Sequence, residues 1–148
     1  MSATNAFESQ LLSLIFENAN AANIGDATGL RGSTTAGSFY ISLHTADPGE
    51  TGTQTTSEAT YTSYARVAVA RSTAGWTVTG NSVSNDAAIN FPACTGGSST
   101  VTYFGIGTDV SGAGNLLLSG ALTSPSSLAI SNGITPSFAA GALTATAD

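Results

Sequence analysis

The sequence has 148 residues, of which only 8% are charged, and it contains no lysine. Its cations are Arg31, Arg66 and Arg71, against nine carboxylates, for a net charge of −6. That balance excludes the basic face that nucleic-acid binding requires and disfavours an anionic membrane surface.

A globular surface normally carries roughly 25% charged residues. Here Ser, Thr, Asn, Ala and Gly must cover it instead, between short apolar runs. This is the composition of a protein that packs against other protein. The length fits a single domain, 1–148. Much of the 41% hydrophobic content is Ala, so the core is thin and partners or self-association are expected to add stability. A lone cysteine, Cys94, excludes an intrachain disulfide and is expected as a small packed residue beside Pro92.

Residues 5–20 are predicted to form the one helix. Asn5 is its expected N-cap, with Glu8 completing a capping box. Phe7, Leu11, Leu14 and Ile15 fall on one face, which Leu12 and Phe16 widen. That face either covers a sheet or docks on another subunit. Glu8 and Glu17 flank the short run Leu11–Phe16 with no basic residue ahead of it, so it is not read as a secretory signal.

Residues 25–37 contain four glycines and no periodicity, and are predicted to be a loop. The clearest strand follows, Ser38–His44: Phe39, Ile41 and Leu43 alternate with Ser38, Tyr40, Ser42 and His44. Asp47-Pro48-Gly49 ends it with turn chemistry. Residues 49–60 are Thr-rich, long for a hairpin loop, and expected to be an exposed functional loop or arm.

Tyr64–Arg71 alternates again, and Trp76 with Val78 starts a further strand. Asn81–Asp86 is polar. Ala88–Phe91 is expected to be a strand end or edge before Pro92. Val101–Ile106 is predicted as one strand, Gly107–Gly114 as a turn, and Leu116–Leu118, extended by Ala121 and Leu122, as another strand. Short runs begin at Leu128, Phe138 and Leu143. Turn signals recur about every 8–14 residues, a spacing that suggests antiparallel β structure. The expected fold is mainly β: an antiparallel β-sandwich over 38–146, with jelly-roll connectivity as one form of it, and one N-terminal helix.

Little in the chain points to catalysis. His44 and Asp47 are close in sequence, but no G-x-S-x-G elbow supplies a nucleophile. Gly105-Ile106-Gly107 opens like a dinucleotide loop, yet Val110 stands where the third glycine is needed, so a β-turn after a strand is expected. Asp47, Glu50, Asp86 and Asp109 offer scattered oxygen ligands without a calcium loop. Trp76, Tyr61, Tyr64 and Tyr103 are either core aromatics or a sugar platform. Arg66 and Arg71 are candidates for fixed ion pairs to an acidic loop, within or between subunits.

Five stretches carry a resemblance: FYISLHTADPGETG (39–52), YARVAVARS (64–72), NDAAINFPACTGGSSTVTYFGIG (85–107), NLLLSGALTSP (115–125) and NGITPSFAAGALT (132–144). Together, ordered and collinear, they resemble a family of small virion structural proteins of tailed bacteriophages, described as head decoration (cement) or tail-fibre-like proteins. The resemblance implies no enzymatic activity and no ligand residues to carry over. The first expectation is a capsid decoration protein on the outer capsid surface, made in the host cytoplasm, that bridges and stabilises capsid subunits. The alternatives are a tail, baseplate or tail-fibre component, and a receptor- or glycan-binding module. Expected partners are the major capsid protein and further copies of the chain, as a trimer or dimer. No nucleic acid, membrane, small-molecule substrate, cofactor or metal is expected. The candidate interface residues are Phe7, Leu11, Ile15, Arg31, Thr53 and Thr55.

Overall fold

The structure is a computed structural model that describes residues 3–25 and 28–147. Asp26 and Ala27, within the expected 25–37 loop, lie outside the described residues. The protein is mainly β, with several antiparallel sheets and one short N-terminal helix. The chain divides into two compact units, each assembled from separated stretches.

The first unit comprises Met1–Ser38, Ala70–Ile89 and Phe138–Asp148. Its helix, α1, spans Asn5–Phe16. It ends four residues before the sequence suggests, because Asn18 adopts a left-handed backbone (φ 59°) and its side chain is bonded on both sides to Ser33. Thr4 occupies the N-cap in extended geometry, Asn5 is already helical, and no side-chain cap bond forms. The expected capping box is therefore absent: Glu8 is buried on the inner face with Leu12 and Phe16.

The helix packs on a sheet of order β11-β4-β3, formed by Trp76–Thr79 (β3), Ser82–Asn85 (β4) and Thr144–Thr146 (β11). Phe16 meets Trp76 edge to face at 4.9 Å. Gly80 and Asn81 make the two-residue hairpin between β3 and β4, with Gly80 at φ 62°, as hairpin turns of this length require. The sequence Asn81–Asp86 looked merely polar. It carries a strand because Val83 and Asn85 point into the core while strands on both sides hydrogen-bond to it. Buried Asn85 has both amide hydrogens and its oxygen engaged: Nδ2 donates to the Ala87 and Ala139 carbonyls (both 2.8 Å), and Oδ1 accepts from Leu143 N (2.9 Å).

The second unit comprises Phe39–Val69 and Asn90–Ser137. Its four-stranded sheet has the order β2-β1-β7-β8: β1 is Ser38–His44, β2 Val67–Ala70, β7 Tyr103–Gly107 and β8 Leu116–Ala121. Antiparallel pairing sets Ile41 opposite Ile106 and Leu43 opposite Phe104. The strand expected over Val101–Ile106 is two strands. β6 (Ser99–Val101) pairs with β9 (Leu128–Ile130), and β7 resumes at Tyr103 to pair with β1 and β8. Thr102 marks the switch, its N–H bonded to the His44 carbonyl and its hydroxyl to the Thr45 carbonyl. A short ribbon of β5 (Ile89–Asn90) and β10 (Ser137–Phe138) completes the elements.

The Gly105-Ile106-Gly107 stretch lies inside β7, not in the expected β-turn. Its glycines are required by close approach. A Cβ at Gly105 would sit 2.6 Å from Ser42 Oγ and 2.7 Å from His44 Nε2, and one at Gly107 would sit 2.2 Å from Gln54 Cδ.

Candidate functional site

Two groups of side chains that looked like chemistry in the sequence are internal structure. His44 is fully buried. Its Nδ1 lies 2.8 Å from the Thr56 carbonyl, which can only accept, so Nδ1 carries the proton. Its Nε2, 2.8 Å from Ser42 Oγ, is then the acceptor for that hydroxyl. Burial pushes the His44 pKa below its usual value, against the Thr56 bond and Glu58, which raise it. Ser42 is as deeply buried as His44, so this serine–histidine pair faces no substrate.

Of the four aromatics, Trp76 and Tyr61 are buried, while Tyr64 and Tyr103 are half-buried, Tyr103 in the wall of a groove. Trp76 is core in the first unit. In the second, Tyr61 is buried with its hydroxyl donating to the Pro92 carbonyl (3.0 Å), and it meets Tyr64 edge to face at 5.3 Å. Tyr64 donates to Glu58 Oε1 (2.9 Å) and accepts from Leu43 N (3.0 Å). Burial drives its phenol pKa upward. These residues do not form an exposed sugar platform.

The Thr-rich segment is a fastened loop, not an arm. Gln54, its central residue, is fully buried: Nε2 donates to the Asp109 carbonyl (3.2 Å) and Oε1 accepts from Asp109 N (2.9 Å). The Gln54 N–H bonds the Ala113 carbonyl, and further along, the Thr45 and Ala59 N–H groups bond the Ser57 and Leu43 carbonyls. Glu58, also in this loop, receives both Nε and Nη2 of Arg66 (2.7 and 2.8 Å). The remaining Arg66 donors reach the Asp109 and Gly112 carbonyls. The expected arginine contact to an acidic loop is thus present, and it is intramolecular.

Arg71 behaves differently. Its guanidinium binds carbonyls: Ile15 (2.5 Å), Leu14 (3.0 Å) and Ala36 (3.1 Å), with Ser33 Oγ at 3.2 Å. Two of these are orphan carbonyls at the end of α1, which has no basic residue in its own last turn. Arg71 supplies the positive charge that a helix C-terminus favours.

What remains is surface. Of the candidate interface residues, Phe7 and Leu11 are exposed, one helical turn apart on the outer side of α1, and Ile15 is half-buried. Arg31 is exposed, next to exposed Leu30. Thr55 is exposed, and Thr53 is half-buried with its N–H bonded to Thr56 Oγ1. The first three lie on one helix, and Thr53 and Thr55 on one loop. Sequence reasoning missed another apolar surface, β8, where Leu117 is 45% and Leu118 39% exposed. A groove of about 430 Å³ runs beside it, lined by Asp47, Glu50, Tyr103, Leu116 and Ser119 among others. Among the described residues no group of three or more His, Cys, Asp or Glu could hold a metal ion, and no helix is long and apolar enough to cross a membrane.

The family model described as podophage GP4 fiber I protein gp80 matches residues 2–146. The chain belongs to that family. Membership in the gp80 fiber family makes it a small virion structural protein of a tailed phage, as its sequence motifs suggested. No curated protein matches the chain significantly.

Proposed function

We propose that this chain is a non-enzymatic subunit of a virion fiber that acts through protein–protein contacts. The observation that carries the reading is the match of nearly the whole chain to a family described as a fiber protein. Several features support it. The chemistry-bearing residues His44, Ser42, Tyr61, Tyr64 and Arg66 are spent on internal bonds, while large apolar side chains such as Phe7, Leu11, Leu117 and Leu118 are exposed. Exposed apolar residues on a weakly charged surface suit lasting contact with protein.

Its partners in this reading are neighbouring virion proteins and further copies of itself. Capsid decoration, the first expectation from the sequence, shares the virion setting, but the family description favours the tail-fibre alternative. The burial of Trp76 and Tyr61 weighs against the glycan-binding alternative, which leaves half-buried Tyr64 and Tyr103 as its aromatics.

Cryo-electron microscopy of the particle tests the proposal. Density for the chain within a projecting fiber is the expected result. Density spread over the capsid lattice, with none in a fiber, would sink the fiber reading and revive decoration.

A further inference from the structure

We propose that β8 is an assembly edge: a second copy of this chain pairs with it strand to strand, antiparallel, about a two-fold axis. The inference goes beyond the fiber reading and holds wherever on the virion the chain sits.

β8 is the outermost strand of the sheet β2-β1-β7-β8. An outer strand presents a row of unpaired N–H and C=O groups, a template for another strand, and monomeric proteins guard such edges. The opposite edge is shorter: β2 is four residues long. β8 is six residues, Leu116–Ala121, with no proline or charge. The register shift against β7 falls at one end, between Ile106 and Gly107, so Leu118–Ala121 remains a regular ladder.

Side chains point the same way. Leu117 is the extra residue at the register shift, with no partner on β7, and both it and the neighbouring Leu118 are exposed. A neighbouring strand places a cross-strand partner beside each.

Neutrality and two-fold symmetry fit a second copy as the occupant. Residues 110–147 contain no charged side chain, so β8 set against β8 of a second copy brings no like charges opposite each other. A strand pairing antiparallel with its own copy satisfies two-fold symmetry, which closes the contact at two subunits. The carboxylates nearest the strand, Asp47 and Glu50, are the same in both copies, and each copy carries a net charge of −6. Screening should therefore tighten the pair as salt rises. A foreign basic strand attracted to those carboxylates would be released by salt.

The test is sedimentation equilibrium of the full chain at rising concentration, in low and high salt. The expected result is a dimer that tightens with salt and weakens at least about tenfold in Leu118→Lys, which sets two ammonium groups near the axis. Leu11→Lys on α1 should leave it unchanged. Single Leu117→Cys, Leu118→Cys and Ser119→Cys variants, oxidised separately, give a readout that needs no disruptive change. One position should cross-link to its own copy far faster than its neighbours, because one lies closest to the axis. A chain that stays monomeric at every soluble concentration overturns the proposal. So does an association lost in Leu11→Lys but kept in Leu118→Lys, or one that salt dissolves.

Discussion

Arg66 grips Glu58 with two parallel bonds, Nε to Oε1 at 2.7 Å and Nη2 to Oε2 at 2.8 Å, and so fastens the Thr-rich loop to the segment that leads into β2. The fork geometry is available to arginine and not to lysine. With Arg66 only 8% exposed, removing the carboxylate leaves a buried charge without its counter-ion. Glu58→Gln should lower stability by about 3 kcal/mol. Arg66→Lys should cost somewhat less, because the charge remains while the fork is lost. Urea denaturation of the two variants checks this, and an unchanged midpoint in Glu58→Gln would count against the pair as a fastening.

His44 is the chain's only histidine, the side-chain type whose ordinary titration lies nearest neutral pH. Its folded pKa lies below 6.5, because burial penalises the cation. The unfolded chain therefore takes up the proton first as pH falls. The stability contributed by neutral His44 is complete above pH 6.5, declines as pH drops below it, and is lost once the folded pKa is passed. Urea midpoints measured across this range should fall with acid in the wild type and stay flat in His44→Gln. Equal slopes in both proteins would contradict the assignment.

Gly107→Ala should displace Gln54. A Cβ there meets the Gln54 side chain at 2.2 Å, too close to be absorbed without movement. Moving Gln54 breaks both of its bonds to Asp109, a loss of about 2 kcal/mol or more for a buried amide left unpaired. The melting temperature reports this directly, and a melting temperature equal to that of the wild type would refute the contact.

Arg71→Met keeps the aliphatic stem but removes the donors that bind the Leu14 and Ile15 carbonyls. The expected cost is about 1–2 kcal/mol. Hydrogen exchange should accelerate in the last turn of α1 while the β1 and β7 amides keep their protection. Uniform acceleration across the chain would point to a global effect instead.

Asn85→Asp changes one atom and should still be among the more damaging substitutions. The amide group donates to two carbonyls, and a carboxylate oxygen in its place would face both as an acceptor. A loss of about 3 kcal/mol is expected at neutral pH, and Asn85→Asp should recover as acid protonates it. Denaturation of that variant at two pH values decides the point.

Strand β1 was legible in the sequence because Phe39, Ile41 and Leu43 alternate with polar residues. That its polar side would be just as buried was not, since Ser42 and His44 find their shelter in Gly105 and the Thr56 carbonyl, far along the chain. The helix was legible in type, but its inner face was not: the buried line is Glu8, Leu12 and Phe16, and the apolar pair Phe7 and Leu11 points outward. An apolar stripe wider than one face leaves periodicity unable to choose. β4 was hidden because only Val83 among Ser82–Asn85 is apolar, and its strand state comes from the hydrogen bonds of β3 and β11.

The sequence by itself determined the class of this protein: a weakly charged, hydroxyl-rich, mainly β chain with one N-terminal helix and the motifs of a phage virion family. These follow from composition, period-2 alternation and turn chemistry, which are local. Tertiary structure decided which serine, histidine, tyrosine and arginine side chains are structural, that the Thr-rich loop is fastened, and that Leu116–Ala121 is an edge. Those facts depend on strand order and on partners tens of residues away, which no local pattern encodes.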